Sequence, residues 1–201
     1  MMRHTTVNRR DCLHGLLALG ATSSTFGAVA QAQVVAEPQV AQPPELLALP
    51  APWPQANRVG TGRLRYFGLS IYDAALWATP GLAASSYASA LFALELRYLR
   101  NLSGSAIAER SLDEMRRGGA LAPATEALWL RTMRTIFPDV QSGDRITGVN
   151  LPQQGVRFYV NGQPRNDVND AAFGERFFGM WLAPWTSEPG LRTALLAGLT
   201  P

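Results

Sequence analysis

Three side chains near the start of the predicted domain could together bind an acidic group. Arg63 and Arg65 alternate along one predicted strand and so share a face, and Tyr72 lies in the next predicted strand. Arginine offers planar paired donors to a carboxylate, and a tyrosine hydroxyl can add a hydrogen bond. The alternative is a solvated outer face, with Leu64 and Tyr66 in the core and Tyr72 as an ordinary half-buried strand residue.

A fourth arginine, Arg110, lies on a predicted amphipathic helix that begins at Ser103 or Ser105 and runs to about Arg117. Other charged side chains of this helix indicate a solvated face with local ion pairs. These are Glu109, Asp113, Glu114, Arg116 and Arg117. No two carboxylates of the chain stand out by spacing as an acid–base pair, so catalytic residues are left unassigned.

Most other catalytic chemistry is missing outside the N-terminal segment. All 18 basic residues are arginine, and the single cysteine, Cys12, and both histidines, His4 and His14, lie near the start of the chain. Removal of residues 1–32 would leave no Cys, His or Lys. That excludes disulfides, thiolate nucleophiles, histidine bases, Cys or His metal sites and lysine Schiff bases. We therefore expect neither a metal nor a cofactor.

The N-terminal segment predicts export. Arg9 and Arg10 directly precede a mildly apolar stretch, which is the layout of a twin-arginine signal. A small-x-small peptidase site ends at Ala32, so residues 1–32 are interpreted as a signal peptide and the mature protein as periplasmic. An ordinary secretory signal is the alternative. A lipoprotein signal is rejected because Cys12 precedes the apolar stretch.

The remainder divides into a predicted Pro-rich linker, residues 33–55, and one domain, residues 56–201. Proline favours an extended chain without ladder hydrogen bonds, although Leu46, Leu47 and Leu49 could still pack on the domain. The signal holds three of the 18 basic residues and one of the 15 acids, so its removal lowers the net charge from +3 to +1. This balance gives little support for nucleic-acid binding, and no apolar run after the signal is long enough to span a membrane.

Hydrophobic periodicity predicts grouped strands and grouped helices. Strands are expected over 58–67, 69–77, 92–99, 144–150, 156–160 and 163–166. Helices are expected over about 103–117, 123–136 and 170–182, and after Ser187 through Leu196. Asn161-Gly162 is a strong hairpin signal, because both central residues of the favoured turn need positive φ. This order predicts an α+β fold with helices on one face of an antiparallel sheet.

Four segments, in three groups, carry a family resemblance. They are VGTG at 59–62 leading into IYDAALW at 71–77, YVNGQ at 159–163, and FFGMWL at 177–182. In this order and spacing they resemble the exported bacterial branch of the chalcone-isomerase-like family, from about residue 59 to residue 198. The resemblance implies an open-faced β-sandwich, in which helices cover a curved antiparallel sheet and a ligand cleft lies between the two layers.

That family contains plant enzymes that cyclise chalcones and relatives that bind fatty acids. Tyr72 matches the tyrosine with which the fatty-acid binders hold a carboxylate. The position of the family's strand arginine is occupied by Leu64 in this sequence. A neighbouring arginine could hold the carboxylate only if a bulge turned its side chain towards the cleft. On the helix that borders the cleft, Arg110 and Arg117 replace the tyrosine and asparagine of the plant enzymes. Chalcone cyclisation is therefore not expected, whereas Arg110 could join a carboxylate clamp.

The resemblance thus favours a binding protein over an enzyme and leaves catalysis open. We expect an exported domain that binds a small hydrophobic carboxylate, fatty-acid-like or phenolic, with Tyr72, Arg65, Arg63 and Arg110 as ligand-binding candidates. One alternative is an isomerase or lyase that polarises an enone carbonyl through Arg and Tyr. The other is a non-catalytic accessory protein of the cell envelope.

Overall fold

The computed structural model of the chain describes residues 41–49 and 53–199. The strands are β1 (Asn57–Tyr66), β2 (Leu69–Ala78), β3 (Phe92–Tyr98), β4 (Arg145–Leu151), β5 (Gly155–Val160) and β6 (Gln163–Pro164). The helices are α1 (Pro44–Leu47), α2 (Gly104–Arg116), α3 (Pro123–Ile136), α4 (Ala171–Leu182) and α5 (Pro189–Leu195). The predicted signal peptide and its cleavage site at Ala32 lie outside the described residues, as does the first part of the predicted linker.

The sheet is antiparallel, and its six strands follow chain order from β1 to β6. Helices α2 and α3 connect β3 to β4, and α4 and α5 follow β6. Helix α4 packs on β4 and β5, whereas α5 packs on β1. The predicted α+β class, with helices laid over an antiparallel sheet, is confirmed.

Local sequence sets the starts of the helices. The Ser103 hydroxyl accepts a hydrogen bond from a backbone N–H in the first turn of α2, and Asp170 caps α4 in the same way. Helix α5 differs from the prediction that Ser187 caps it. It begins at Pro189 without a side-chain cap, because proline suits the first turn of a helix, where its missing N–H costs nothing.

The helix-covered face of the sheet holds the larger core. Alternate residues of β3 point into it: Phe92, Leu94, Leu96 and Tyr98. Phe173 and Phe177 of α4 pack edge-on against Phe158 of β5 and stack on each other. Full burial of one such side chain contributes about 1.5–3 kcal/mol, so this aromatic layer anchors α4 over the sheet.

The opposite face of the sheet is covered by the first described residues. Leu46 of α1 is fully buried and packs in one cluster with Trp53 and Trp77. Leu49 joins this cluster in part, whereas Leu47 is exposed. The described part of the predicted linker therefore packs on the sheet, because its apolar side chains bury area that an extended chain would leave in water.

The first strand and the last helix approach each other closely. A side chain at Gly60 would collide with the backbone oxygen of Ala194, so only glycine fits there. Just beyond α5, the Gly198 N–H donates to the Val59 carbonyl oxygen at 2.9 Å. The two ends of the domain are thus joined backbone to backbone.

Two hairpin turns share one backbone conformation. Asn161 and Gly162 join β5 to β6 with φ of 51° and 80°, and Phe67 and Gly68 join β1 to β2 with φ of 47° and 77°. Positive φ at both central residues is the signature of a type I′ turn. The first turn agrees with the Asn-Gly prediction. The second carries a bulky phenylalanine where asparagine, aspartate or glycine is usual.

Candidate functional site

A cavity of about 320 Å³ lies between the helix-covered face of the sheet and helices α2 and α4. Its walls come from strands β1 to β4, helices α2 and α4, and the segments before α2, after α3 and before α5. Most of the lining side chains are apolar. Examples are Leu64, Ile71, Leu96, Ile107, Phe137 and Phe177. The volume is at the lower end of the range for small-molecule sites, and the position is where the family resemblance implies a ligand cleft.

A β-bulge in β2 turns two consecutive side chains towards this cavity. Leu64 pairs with Tyr72, and Arg65 pairs with Ser70, so the intervening Ile71 has no partner in β1. Both Ile71 and Tyr72 line the cavity, although consecutive residues of a regular strand would face opposite sides. The bulge therefore widens the part of β2 that is available to a ligand.

Tyr72 is a neutral hydrogen-bond donor within an apolar wall. Its hydroxyl oxygen accepts a hydrogen bond from the indole Nε1 of Trp181 at 2.9 Å, and its ring meets the edge of Tyr98. An indole N–H can only donate, so Tyr72 keeps its own proton for another acceptor. Burial raises the pKa of Tyr72 and of Tyr98 above the ordinary value, which keeps both hydroxyls protonated at neutral pH.

The first two predicted ligand-binding arginines lie away from the cavity. Leu64 lines it, and the neighbouring Arg63 and Arg65 are exposed and absent from its lining. Arg63 forms an ion pair with its cross-strand partner Asp73, with Nη2 and Oδ2 2.9 Å apart. The bulge lies in β2 and leaves the alternation of β1 between Leu64 and Tyr66 intact, so no arginine is turned inward.

Arg110 does lie at the cavity, on its rim. Its guanidinium forms an ion pair with Glu114 and stands 5.6 Å from the centre of the Tyr66 ring, while about half of the side chain is exposed. Arg117 instead donates from Nε to the backbone oxygen of Trp185. Of the four predicted ligand-binding residues, the structure brings Tyr72 and Arg110 together at one cavity.

Two rim carboxylates were not assigned from the sequence. Glu114 of α2 and Glu188, which precedes α5, both line the cavity. Burial raises the pKa of Glu188, the negative charge of Glu114 raises it further, and Arg110 opposes both. The sequence did hold a signal for Glu114, because Ile107, Arg110 and Glu114 share one helix face by their spacing. No local pattern relates Glu188 to that face.

The arrangement can hold an apolar body in the cavity and a polar group beside Tyr72 and Arg110. A guanidinium has five N–H donors, so the ion pair with Glu114 does not exhaust Arg110. Within residues 41–49 and 53–199, no three His, Cys, Asp or Glu side chains are grouped to hold a metal ion. None of the helices described is both long and apolar enough to cross a bilayer.

Comparison with known proteins places this fold and cavity in a family. The structure is similar to the crystal structure of AtFAP1, a fatty-acid binding protein of Arabidopsis thaliana, with a TM-score of 0.54 over 71% of this chain and 87% of that one. At 13% identity, this likeness shows the fold alone. An uncharacterized protein of Haemophilus influenzae is 35% identical over 68 residues, so the match spans about a third of that relative's length. The family model described as chalcone isomerase-like matches residues 57–197, and the chain therefore belongs to the chalcone isomerase-like family.

Proposed function

We propose that this protein binds a small hydrophobic ligand with an acidic head group, fatty-acid-like or phenolic, between the sheet and the helices. One observation carries the proposal: an apolar cavity meets a neutral donor, Tyr72, and has a cation, Arg110, at its rim. The structural likeness to a plant fatty-acid binding protein supports the same class of ligand.

The apolar walls determine how tightly such a ligand binds. Burial of each methylene group contributes about 0.8 kcal/mol, whereas an ion pair with a half-exposed arginine contributes about 0–1 kcal/mol. The tail between Leu96, Phe137 and Phe177 thus supplies most of the affinity. The head group sets the orientation, because it accepts a hydrogen bond from Tyr72 and uses the remaining donors of Arg110.

A matched series of ligands tests both parts of the proposal. Straight-chain acids, alcohols and amines of equal length are titrated by calorimetry into protein purified after export. The acid is expected to bind most tightly and the amine most weakly. Absence of binding by all three would refute the proposed function. Tighter binding of the amine would refute the acidic head group and indicate that Glu114 and Glu188 dominate the rim.

A variant that fills the cavity provides the structural control. Ile107 lines the cavity from α2, whereas Leu128 is exposed on α3 and outside the lining. The substitution Ile107→Trp should weaken ligand binding at least tenfold, and Leu128→Trp should leave it unchanged. Equal affinities of the two variants would show that the ligand binds elsewhere.

We infer from the sequence that the protein acts in the periplasm after cleavage near Ala32. The support is the pair Arg9 and Arg10 before an apolar stretch. Replacement of both by lysine in a bacterial host should cause an unprocessed precursor to accumulate in the cytoplasm. Normal processing of that variant would refute the twin-arginine route, and absence of processing of the unaltered chain would refute export itself.

A further inference from the structure

The turn between β1 and β2 exposes an apolar surface. We call residues 66–69 the hairpin tip. Tyr66, Phe67 and Leu69 of this tip are 51%, 87% and 49% exposed, and they are three of the five large hydrophobic residues exposed in the described part of the chain. Single exposed hydrophobic residues are normal on a surface, whereas three within four residues form a patch.

The fold gains nothing evident from the phenylalanine of this tip. In the turn of the same type, Asn161 tolerates positive φ, accepts a hydrogen bond from the Arg145 N–H and donates one to Asp144. Phe67 adopts nearly the same φ, which is unfavourable for a bulky residue, and its ring contacts only the edge of Tyr66 among the aromatic rings described. A strained residue with an exposed side chain indicates a role outside folding.

The hairpin tip stands beside the mouth of the cavity. Tyr66 at one end of the tip lines the cavity, and so does Ile71, two residues beyond the other end. The guanidinium of Arg110, on the cavity rim, lies over the Tyr66 ring. A surface that contacted the tip would therefore also face the opening through which a ligand enters.

Positive charge flanks the tip. Arg65 directly precedes it, and Arg100 lies at the same end of the sheet because the Leu99 N–H donates to the Ile71 carbonyl oxygen at 2.9 Å. Neither arginine forms an ion pair with an acid among the described residues. On the rim, Glu114 is paired with Arg110, and Glu188 is the acid without such a pair. Two positive charges without an ion pair, those of Arg65 and Arg100, thus lie at the end of the sheet that carries the tip.

From these features we infer that the hairpin tip inserts into the interfacial layer of a bilayer with anionic lipids, and that hydrophobic ligand passes between this bilayer and the cavity. Aromatic side chains suit the membrane interface, and arginines attract anionic head groups. One short apolar tip with two cations gives weak, reversible contact, which suits exchange rather than anchoring. Ligand passage rests on the proposed function, whereas membrane contact does not.

Vesicle flotation tests the membrane contact. Protein purified after export is mixed with vesicles of phosphatidylcholine alone or with 30% phosphatidylglycerol. Binding is expected on the anionic vesicles and should fall at least tenfold in the Phe67→Asn variant. This variant relieves the strained φ, so it should fold with equal or higher thermal stability. The matched control, Leu128→Ser, removes an exposed leucine elsewhere and should bind like the wild type.

The outcomes separate the inference from its alternatives. Membrane contact would be overturned if the wild-type protein bound neither kind of vesicle. It would also be overturned if the Phe67→Asn variant bound the anionic vesicles as well as the wild type does. The first of these results, together with a crosslinked protein partner that Phe67→Asn loses, would assign the tip to a protein instead. Full anionic-vesicle binding by the Arg65→Gln, Arg100→Gln double variant would overturn the role of charge.

A transfer assay connects the tip to the ligand. A fluorescent fatty acid is loaded into anionic vesicles, and its movement to the protein is followed in time. The Phe67→Asn variant should slow transfer at least threefold and leave the affinity in solution unchanged. Equal transfer rates would overturn exchange at the tip. Vesicle binding without any affinity for fatty acids in solution would refute the proposed function and leave the membrane contact standing.

Discussion

Two buried polar clusters, one on each face of the sheet, are arranged in opposite ways. On the helix-covered face, the Tyr72 hydroxyl and the Trp181 indole form a neutral pair beside a cavity, and Tyr72 retains a free proton. On the opposite face, buried carboxylates are bound by an arginine and a threonine of the sheet. Thr147 donates to Glu45 at 2.6 Å, and Arg145 donates to Glu95 at 2.9 Å.

This difference distinguishes polar groups that stabilise the fold from polar groups that are free to bind a ligand. The second carboxylate oxygen of Glu45 has no hydrogen bond from a described group, but it lies 3.8 Å from Arg145. One guanidinium thus serves two buried carboxylates and holds α1 against the sheet. The donors of Arg145 bind groups of the fold itself, whereas the hydroxyl proton of Tyr72 is left free in the wall of the cavity. Substitutions on the two faces should therefore affect different measurements.

The largest effect is expected from Arg145→Met. Its loss leaves Glu45 and Glu95 buried without their ion-pair partner, and breaking such a pair typically costs about 3–5 kcal/mol. The partial exposure of Arg145 places the expected decrease in the free energy of unfolding near the lower figure. Urea denaturation measures it. The control is Arg97→Met on the adjacent strand, whose exposed side chain should change stability by about 0.5 kcal/mol or less. Equal losses in both variants would contradict this account of the opposite face.

The Tyr72→Phe substitution should reduce stability less than Arg145→Met does and should reduce ligand affinity more. The buried Trp181 N–H loses its acceptor, which costs about 1–3 kcal/mol. The ligand loses a hydrogen bond, so its affinity should fall about tenfold, equivalent to about 1.4 kcal/mol. Calorimetry with a straight-chain acid measures the second change.

The same substitution on the opposite face is the control for Tyr72. Tyr159 is equally buried but packs in the cluster with Leu46 and Trp53. The Tyr159→Phe variant should bind the acid as tightly as the wild type. If Tyr72→Phe also retained full affinity, the cavity tyrosine would have no part in binding.

The smallest effect concerns pH and the rim of the cavity. Burial raises the pKa of Glu188, so this carboxyl gains a proton before an ordinary glutamate does as the pH falls below neutral. The rim then loses one negative charge, and an anionic ligand should bind about two- to threefold more tightly, the order expected of a partly exposed charge. An alkyl sulfonate is the suitable probe, because it stays ionised throughout this range.

A glutamine at the same position isolates that carboxyl. The Glu188→Gln variant should bind the sulfonate at pH 7 more tightly than the wild type does, with little further change on acidification. Protonation of Glu95, whose pKa burial also raises, should not alter binding, because Glu95 belongs to the opposite face. A pH dependence that persists in Glu188→Gln would assign the effect to another group.

Much of the fold follows from local sequence. The strands and long helices lie close to their predicted positions, and the Asn161-Gly162 turn and the Ser103 cap are where short-range chemistry indicates them. Shorter elements were harder to predict. Strand β6 has two residues where four were expected, and the Arg165 N–H makes one further hydrogen bond to the Phe158 carbonyl oxygen beyond it.

The site was less accessible to prediction because it depends on contacts between distant segments. The register of β1 determines which sheet face Arg63 and Arg65 occupy. The bulge at Ile71, which turns Ile71 towards the cavity, has no sequence signature. Glu188 and Glu114 come to line one cavity only when the segment before α5 folds back to α2. The packing of Glu45 on the sheet likewise needs Arg145 and Thr147, which lie about a hundred residues away.

The close approach at Gly60 has a consequence for the order of synthesis and folding. The first strand of the sheet needs the backbone of the last helix against it, and nearly the whole domain separates the two in the chain. Such contacts of high sequence separation form late and fold slowly. The growing polypeptide therefore cannot complete β1 until α5 has left the ribosome. A nascent chain stalled with α5 still inside the ribosome should remain sensitive to protease, and release should make it resistant.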